Sequence, residues 1–170
     1  MSDSEQAVTK PAGVEKLEED GEIAADYLEE LLDIADIDGD IDLDVDHGRA
    51  VVAIVSDDPL DRGLERLVGP DGEVLDALQE LTRVAVQTKT GERSRLMLDI
   101  SGYRARQREE LLVVAREAIE EVKEKNVNLA LEPMNAFERK VIHDAVAEAG
   151  LVSQSSGVEP ERYVVIRPAE

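Results

Sequence analysis

Two constellations in this chain have the residue types and the spacing to grip a phosphate. In the first, Arg139 and His143 stand four apart, which puts them on one face of any helix that carries them. With Val141, Ile142, Ala145, Val146 and Ala149 as the buried arc, Asn135, Arg139 and His143 fall along its margin. A guanidinium forks onto two phosphate oxygens, and an imidazole N–H one turn away adds a third hydrogen bond. The plain alternative at this spacing is that Arg139 pairs with an acidic neighbour and His143 satisfies a backbone carbonyl. Lys140, Arg162 and Arg167 are further cations of the same region.

The second constellation is Gly69-Pro70-Asp71-Gly72. Apolar residues at helical spacing lie before it (Leu60, Leu64, Leu67, Val68) and after it (Val74, Leu75, Leu78, Leu81, Ala85). Glycine lets a phosphate come close to the backbone, and the helix that follows offers free N–H groups to an anion. The plain alternative is a helix stop and a helix start. The two central residues weaken such a clamp. Pro70 has no N–H to offer, and Asp71 sets a like charge where a phosphate would sit, at a cost of about 1 kcal/mol in an exposed setting. Asp71 could instead cap the following helix, with Arg62, Arg66 and Arg83 expected to compensate.

These residues need elements to hold them. Residues 1–22 are polar and acidic, are punctuated by Pro11, Gly13 and Gly21, and read as a disordered tail. Ile23 to Asp36 has a helical period. Asp40 to Asp46 alternates strictly, carboxylates on one face and apolar residues on the other, and pairs through a His47-Gly48 turn with Arg49 to Val55. A helix capped at Asp57-Asp58-Pro59, the glycine turn, a helix to Thr88 and a strand at Leu96 to Ile100 follow. Then come a long helix from Tyr103 to Lys125, a short strand near Leu129, a helix from Phe137 to Ala149 with Asn135 as N-cap, and two short strands. The aspartate run does not fit a calcium loop, because Ile41 or Leu43 falls where glycine is required.

Composition removes several functions. The chain has no cysteine, so disulfides, thiolate catalysis and Cys-ligated zinc are excluded. Four aromatic residues (Tyr27, Tyr103, Phe137, Tyr163) are too few for a base-stacking sheet. The formal net charge is −21, but most of the excess lies before Arg62, so a polyanion can still be bound locally. No long apolar run or signal peptide is present, and a cytoplasmic protein is expected.

At this point the chain resembles a known family. Residues 133–143 are similar to the R-three-H motif, named for an Arg and a His separated by three residues, and residues 155–168 are similar to that domain's closing strands. Residues 69–79 and 99–106 resemble the KH segment of the Jag (KhpB, SpoIIIJ-associated) proteins. The resemblance covers about residues 23–168 and implies an α+β chain: a type II KH domain (α-β-β-α-α-β, residues 23–102) followed by a small α/β R-three-H domain (residues 103–170, with its leading long helix). The short tail is expected to leave no room for the N-terminal Jag domain that many relatives carry. The implied function is that of a non-catalytic, bacterial single-stranded-RNA-binding protein, with single-stranded DNA also open. It implies regulation linked to cell division or envelope growth and a small KH-domain protein as a partner of some relatives; from the residues themselves no cofactor or metal is expected. The expected nucleic-acid contacts are Arg139, His143, Lys140, Asn135, Arg162, Arg167, Gly69, Gly72, Arg62, Arg66 and Arg83. A protein-interaction adaptor, using Asp40, Asp42, Asp44 and Asp46 against a basic partner, is the second reading. One histidine without a matched nucleophile gives an enzyme no mechanism.

Overall fold

The computed structural model describes residues 11–58 and 61–169. The chain forms two compact units, divided between Tyr103 and Arg104. The first contains α1 (Ala12–Ala35), β1 (Asp40–Asp46), β2 (Arg49–Val55), α2 (Arg62–Val68), a 3-10 turn (Pro70–Gly72), α3 (Glu73–Thr90) and β3 (Met97–Ile100). This is the α-β-β-α-α-β order of a type II KH domain.

The local chemistry explains the order. β1 and β2 pair antiparallel from Asp40↔Val55 to Asp46↔Arg49. Their two-residue turn has φ 48° at His47 and 71° at Gly48, the pair of positive values a type I′ hairpin requires. β2 and β3 are parallel, with Val51 opposite Met97, so the chain must cross over between them, and α2 and α3 are that crossover. Alternate residues of the strands face the helices. Val52, Ile54, Leu98 and Ile100 are fully buried with Leu28 of α1 and Leu75 of α3, each worth about 1.5–3 kcal/mol of transfer free energy.

Two expectations change. Residues 12–22 are not a tail, because α1 starts at Ala12; residues 1–10 lie outside the described residues. The segment lacks an apolar stripe, but its Glu, Leu and Lys favour helix, and tertiary contacts fix it. Gly21 is buried and would bring an added Cβ within 3.7 Å of Leu43. Asp20 is buried and accepts from the Ser94 hydroxyl at 2.9 Å. The cap of α2 is Asp61, which accepts from the N–H of Gly63 (2.8 Å) and Leu64 (3.3 Å); Pro59 and Leu60 are outside the described residues.

The second unit holds the body of α4 (Tyr103–Lys125) with β4 (Leu129–Ala130), α5 (Ala136–Glu148), β5 (Val152–Ser156) and β6 (Tyr163–Arg167). Its sheet runs β4-β6-β5 with antiparallel pairs. Ala115, Ile119 and Val122 of α4, Ile142 and Val146 of α5, and Val164 and Ile166 of β6 make its core. Ser153 and Ser155 pair with Ile166 and Val164, so their side chains share the inward face with these buried residues.

The glycine turn is a steric necessity. Gly69 has φ 71°, and a Cβ there would lie 2.4 Å from Val74 Cγ2; Gly72 has φ 76°, and a Cβ there would lie 2.7 Å from Tyr103 Cε1. Gly69→Ala is therefore expected to lower stability by roughly 1–3 kcal/mol. Asp71→Gly, which relieves a non-glycine residue at φ 53°, should leave stability equal or raised. Urea unfolding of the two variants checks this; a Gly69→Ala protein as stable as the parent contradicts it.

Candidate nucleic-acid interface

α5 begins with a reciprocal cap. Asn135 Oδ1 accepts from the Glu138 N–H at 2.9 Å, and Glu138 Oε2 accepts from the Asn135 N–H at 2.8 Å. This satisfies two orphan donors of the first turn. Glu138 also accepts from Gln107 Nε2 of α4 at 3.1 Å. Asn135 thus sets where the helix starts, and so sets the angular position of Arg139 and His143.

Arg139 does not present its fork to solvent. It is 7% exposed. Nη1 donates to the Met134 carbonyl and Nη2 to Glu159 Oε1, both at 2.6 Å. Pairing with an acidic neighbour, the plain alternative from spacing, is what the geometry has. The guanidinium ties the start of α5 to the β5–β6 connection. The Met134 N–H donates to the Arg162 carbonyl at 3.0 Å, so Arg162, which is exposed, sits at the same corner.

His143 is half-buried. Its Nδ1 lies 2.6 Å from Ser153 Oγ and its Nε2 2.8 Å from Ser155 Oγ. Two residues apart on a strand share a face, which is why both hydroxyls reach one ring. Burial, then the charge of Arg139, hold its pKa below 6.5, and Arg162 pushes in the same direction. The neutral ring has one donor and one acceptor, so one serine accepts and the other donates. Helical spacing alone points to a backbone carbonyl or a phosphate as the partner of this ring. The pair of serines replaces both, and its only sequence signal is that Ser153 and Ser155 stand at strand spacing. Lys140 is exposed and pairs with Asp144 Oδ2 at 2.8 Å. Arg167 is exposed and sits apart: it follows the buried Ile166 on β6, so it emerges on the opposite face of the sheet.

In the first unit, Gly69, Pro70, Arg62, Arg66, Glu65 and Val74 line one open groove of about 590 Å³. Arg62 and Arg66 thus border the glycine turn, together with the carboxylate of Glu65. Asp71 itself makes no cap to α3, whose N-cap is Gly72 without a side-chain bond. Arg83 does not join this groove. It lies about 16 Å along the α3 axis from Gly72, at 1.5 Å per residue, and lines another cavity with Arg49, Arg93 and Arg95. Those three arginines carry no motif, and sequence reasoning misses them.

The bracing role of Arg139 can be measured. Arg139→Ala should cost about 1.5–3 kcal/mol, because it removes a buried, charged donor and leaves the Met134 carbonyl and the Glu159 carboxylate without it, whereas Lys140→Ala should cost under about 1 kcal/mol. Thermal melts compare them; equal effects contradict the bracing role. For His143, a folded-state pKa below 6.5 means that folding favours the neutral ring. That stabilisation is present above about pH 6.5 and is lost as pH falls through the folded value. NMR titration of the His143 ring should give a pKa under 6.5; a value at or above it contradicts the assignment.

Comparison with known proteins identifies the second unit and extends beyond it. Residues 109–168 match the family model of the R-three-H domain. The RNA-binding protein KhpB of Clostridium symbiosum is 32% identical over 145 residues, covering 84% of this chain and 64% of that protein. KhpB of Lactiplantibacillus plantarum is 32% identical over 170 residues, 97% of this chain and 51% of that protein. KhpB of Bacillus subtilis is 32% identical over 103 residues, 59% of this chain and 50% of that protein. The chain therefore spans between half and about two thirds of the length of these relatives. Among the described residues no helix is long and apolar enough to cross a membrane. The similarity reaches well beyond the R-three-H segment, and with the Arg139–His143 helix and the α-β-β-α-α-β order it supports a relationship to the Jag/KhpB family.

Proposed function

We propose that this chain is a non-catalytic protein that binds single-stranded RNA, with a KH-type unit followed by an R-three-H unit. We place it in the cytoplasm and in post-transcriptional regulation linked to cell division or envelope growth, with a small KH-domain protein as a candidate partner. The observation that carries the reading is a cationic corner in an otherwise acidic chain. Arg139 and Arg162 both lower the pKa of His143, against the opposing charge of Asp144, and Lys140 stands one turn before the ring on α5, paired with that Asp144. The relatives named RNA-binding proteins give the polyanion its identity.

The roles within the corner differ. Arg139 braces the loop and adds positive potential from below. Lys140 and Arg162, both exposed, are the side chains free to move onto phosphates, Lys140 by exchanging Asp144 for an RNA oxygen. Ser153 and Ser155 can turn hydroxyl protons toward an acceptor because a rotating hydroxyl follows its partner. Base identity is not read by stacking here, as the aromatic count is too low. Binding should therefore be governed by phosphate contacts and fall steeply with salt.

A second reading has its own observation. Asp40, Asp42, Asp44 and Asp46 are all exposed on β1, an edge strand of the first sheet. They pair with Val55, Ala53, Val51 and Arg49 of β2 and so share the face turned away from the helices. A basic protein partner would suit that face. Recovery of partners with and without nuclease separates the two readings.

The direct test is fluorescence anisotropy with a labelled single-stranded RNA across a salt series. Lys140→Ala/Arg162→Ala should weaken binding roughly tenfold and reduce the slope of log K against log salt by about 1.4, the value for two single-strand phosphate contacts. A slope near zero in the parent protein, or no change in the variant, contradicts this assignment.

A further inference from the structure

The first unit has six arginines in an acidic background, and every one lines one of two cavities. Arg62 and Arg66 border the glycine turn. Arg49, Arg83, Arg93 and Arg95 converge on a cavity of about 460 Å³ at the far half of α3. We propose that this four-arginine cavity is a second phosphate-binding site, and that its ligand is the phosphodiester backbone of single-stranded nucleic acid. The identity of the ligand rests on the RNA-binding reading above; the phosphate chemistry does not.

The cavity is built. Ser94 is buried and donates to the buried Asp20 of α1, and it accepts from the Leu96 N–H at 3.3 Å. Burial alternates through Arg93, Ser94, Arg95 and Leu96, the mark of an extended segment. Pinning Ser94 inward therefore turns Arg93 and Arg95 outward together. Arg83 is aimed by two bonds, Nε to the Leu96 carbonyl (2.9 Å) and Nη1 to Glu80 Oε1 (2.8 Å). They use two of its five N–H donors. Arg49 rests Nη1 on Met97 Sδ at 3.4 Å, and the β2–β3 register extended from Val51↔Met97 sets it beside Arg95.

The charge balance is what points to an anion. Glu80 is the carboxylate that lines the cavity, and it is occupied by Arg83. Glu92, next in sequence to Arg93, pairs instead with Lys16 of α1. Among the described residues no carboxylate pairs with Arg93 or Arg95, in a chain with 40 acidic residues to choose from. Four guanidiniums held together repel one another, and a phosphate with its bidentate geometry relieves that repulsion. The volume suits a phosphate with an attached nucleoside. The site also answers the weakness of the glycine turn, where Pro70 and Asp71 spoil the clamp: the phosphate grip moves along α3 to its other end.

The test uses the full chain and two probes, a labelled single-stranded RNA of about twelve nucleotides and ATP, each titrated into the parent and into Arg93→Ala/Arg95→Ala. Both side chains are exposed, so folding is retained and is checked by melting. The expected result is a roughly tenfold loss of RNA affinity, a salt slope lower by about 1.4, and recovery of most affinity in Arg93→Lys/Arg95→Lys. Loss of ATP binding with RNA binding unchanged would overturn the backbone assignment while leaving a phosphate site for free nucleotides. No change with either probe overturns the site itself. If the parent binds no RNA, the RNA-binding reading fails on its own, the backbone assignment fails with it, and the ATP titration decides whether the cavity takes phosphate.

Discussion

Forty carboxylates against nineteen cationic side chains constrain everything this chain can do with a polyanion. At physiological salt, charges more than about 8 Å apart are largely screened from each other. A strongly negative protein can therefore bind RNA if its cations are gathered within that distance and its carboxylates are kept outside it. The fold does part of this sorting, and the carboxylates that stay beside cations, Asp144 at Lys140, Glu159 at Arg139 and Glu80 at Arg83, are held in ion pairs. The aspartates of β1 line the sheet face turned away from the helices, while arginines collect along α2, α3 and the segment before β3, and a third group collects at the start of α5.

The same sorting explains why some charged residues are buried and bonded. Arg139 is held by a carbonyl and a carboxylate, and Asp20 by the Ser94 hydroxyl. A buried polar group without partners is costly; Arg139 is bonded on both sides, whereas Asp20 is bonded through Oδ2 alone and its Oδ1 is buried with no partner among the described residues. Arg139 fixes the corner where Lys140 and Arg162 are exposed. Asp20 fixes the extended segment that points Arg93 and Arg95 outward. In both units a buried polar contact positions exposed cations, and this division between bracing and contacting residues is the organising feature of the molecule.

Much of this is legible in the residues. The strict alternation of Asp40 to Asp46, the His47-Gly48 turn and the apolar spacing around Gly69 and Gly72 lead to the right element order, because each signal is local. Asn135 reads correctly as a cap for the same reason. What is not legible depends on contacts distant in sequence. Residues 12–22 look like a tail until Asp20 meets Ser94, 74 positions away. Spacing leaves Arg139 and His143 open between a phosphate fork and a pair of bracing side chains until Glu159, Ser153 and Ser155 arrive from the segments that follow α5. Arg83 looks like a neighbour of the glycine turn until the length of α3 is laid out. Arg49, Arg93 and Arg95 carry no motif at all; only the β2–β3 pairing brings them together.

The central claim is that RNA meets this protein at its gathered cations and avoids its aspartate face. Backbone NMR of the full chain during titration with single-stranded RNA at low salt tests this most directly. Shift changes should concentrate at Lys140, Ser153 to Ser155, Arg162 and Arg93 to Arg95, with Asp40 to Asp46 unmoved. Changes centred on Asp40 to Asp46, or no localised changes at saturating RNA, would contradict it.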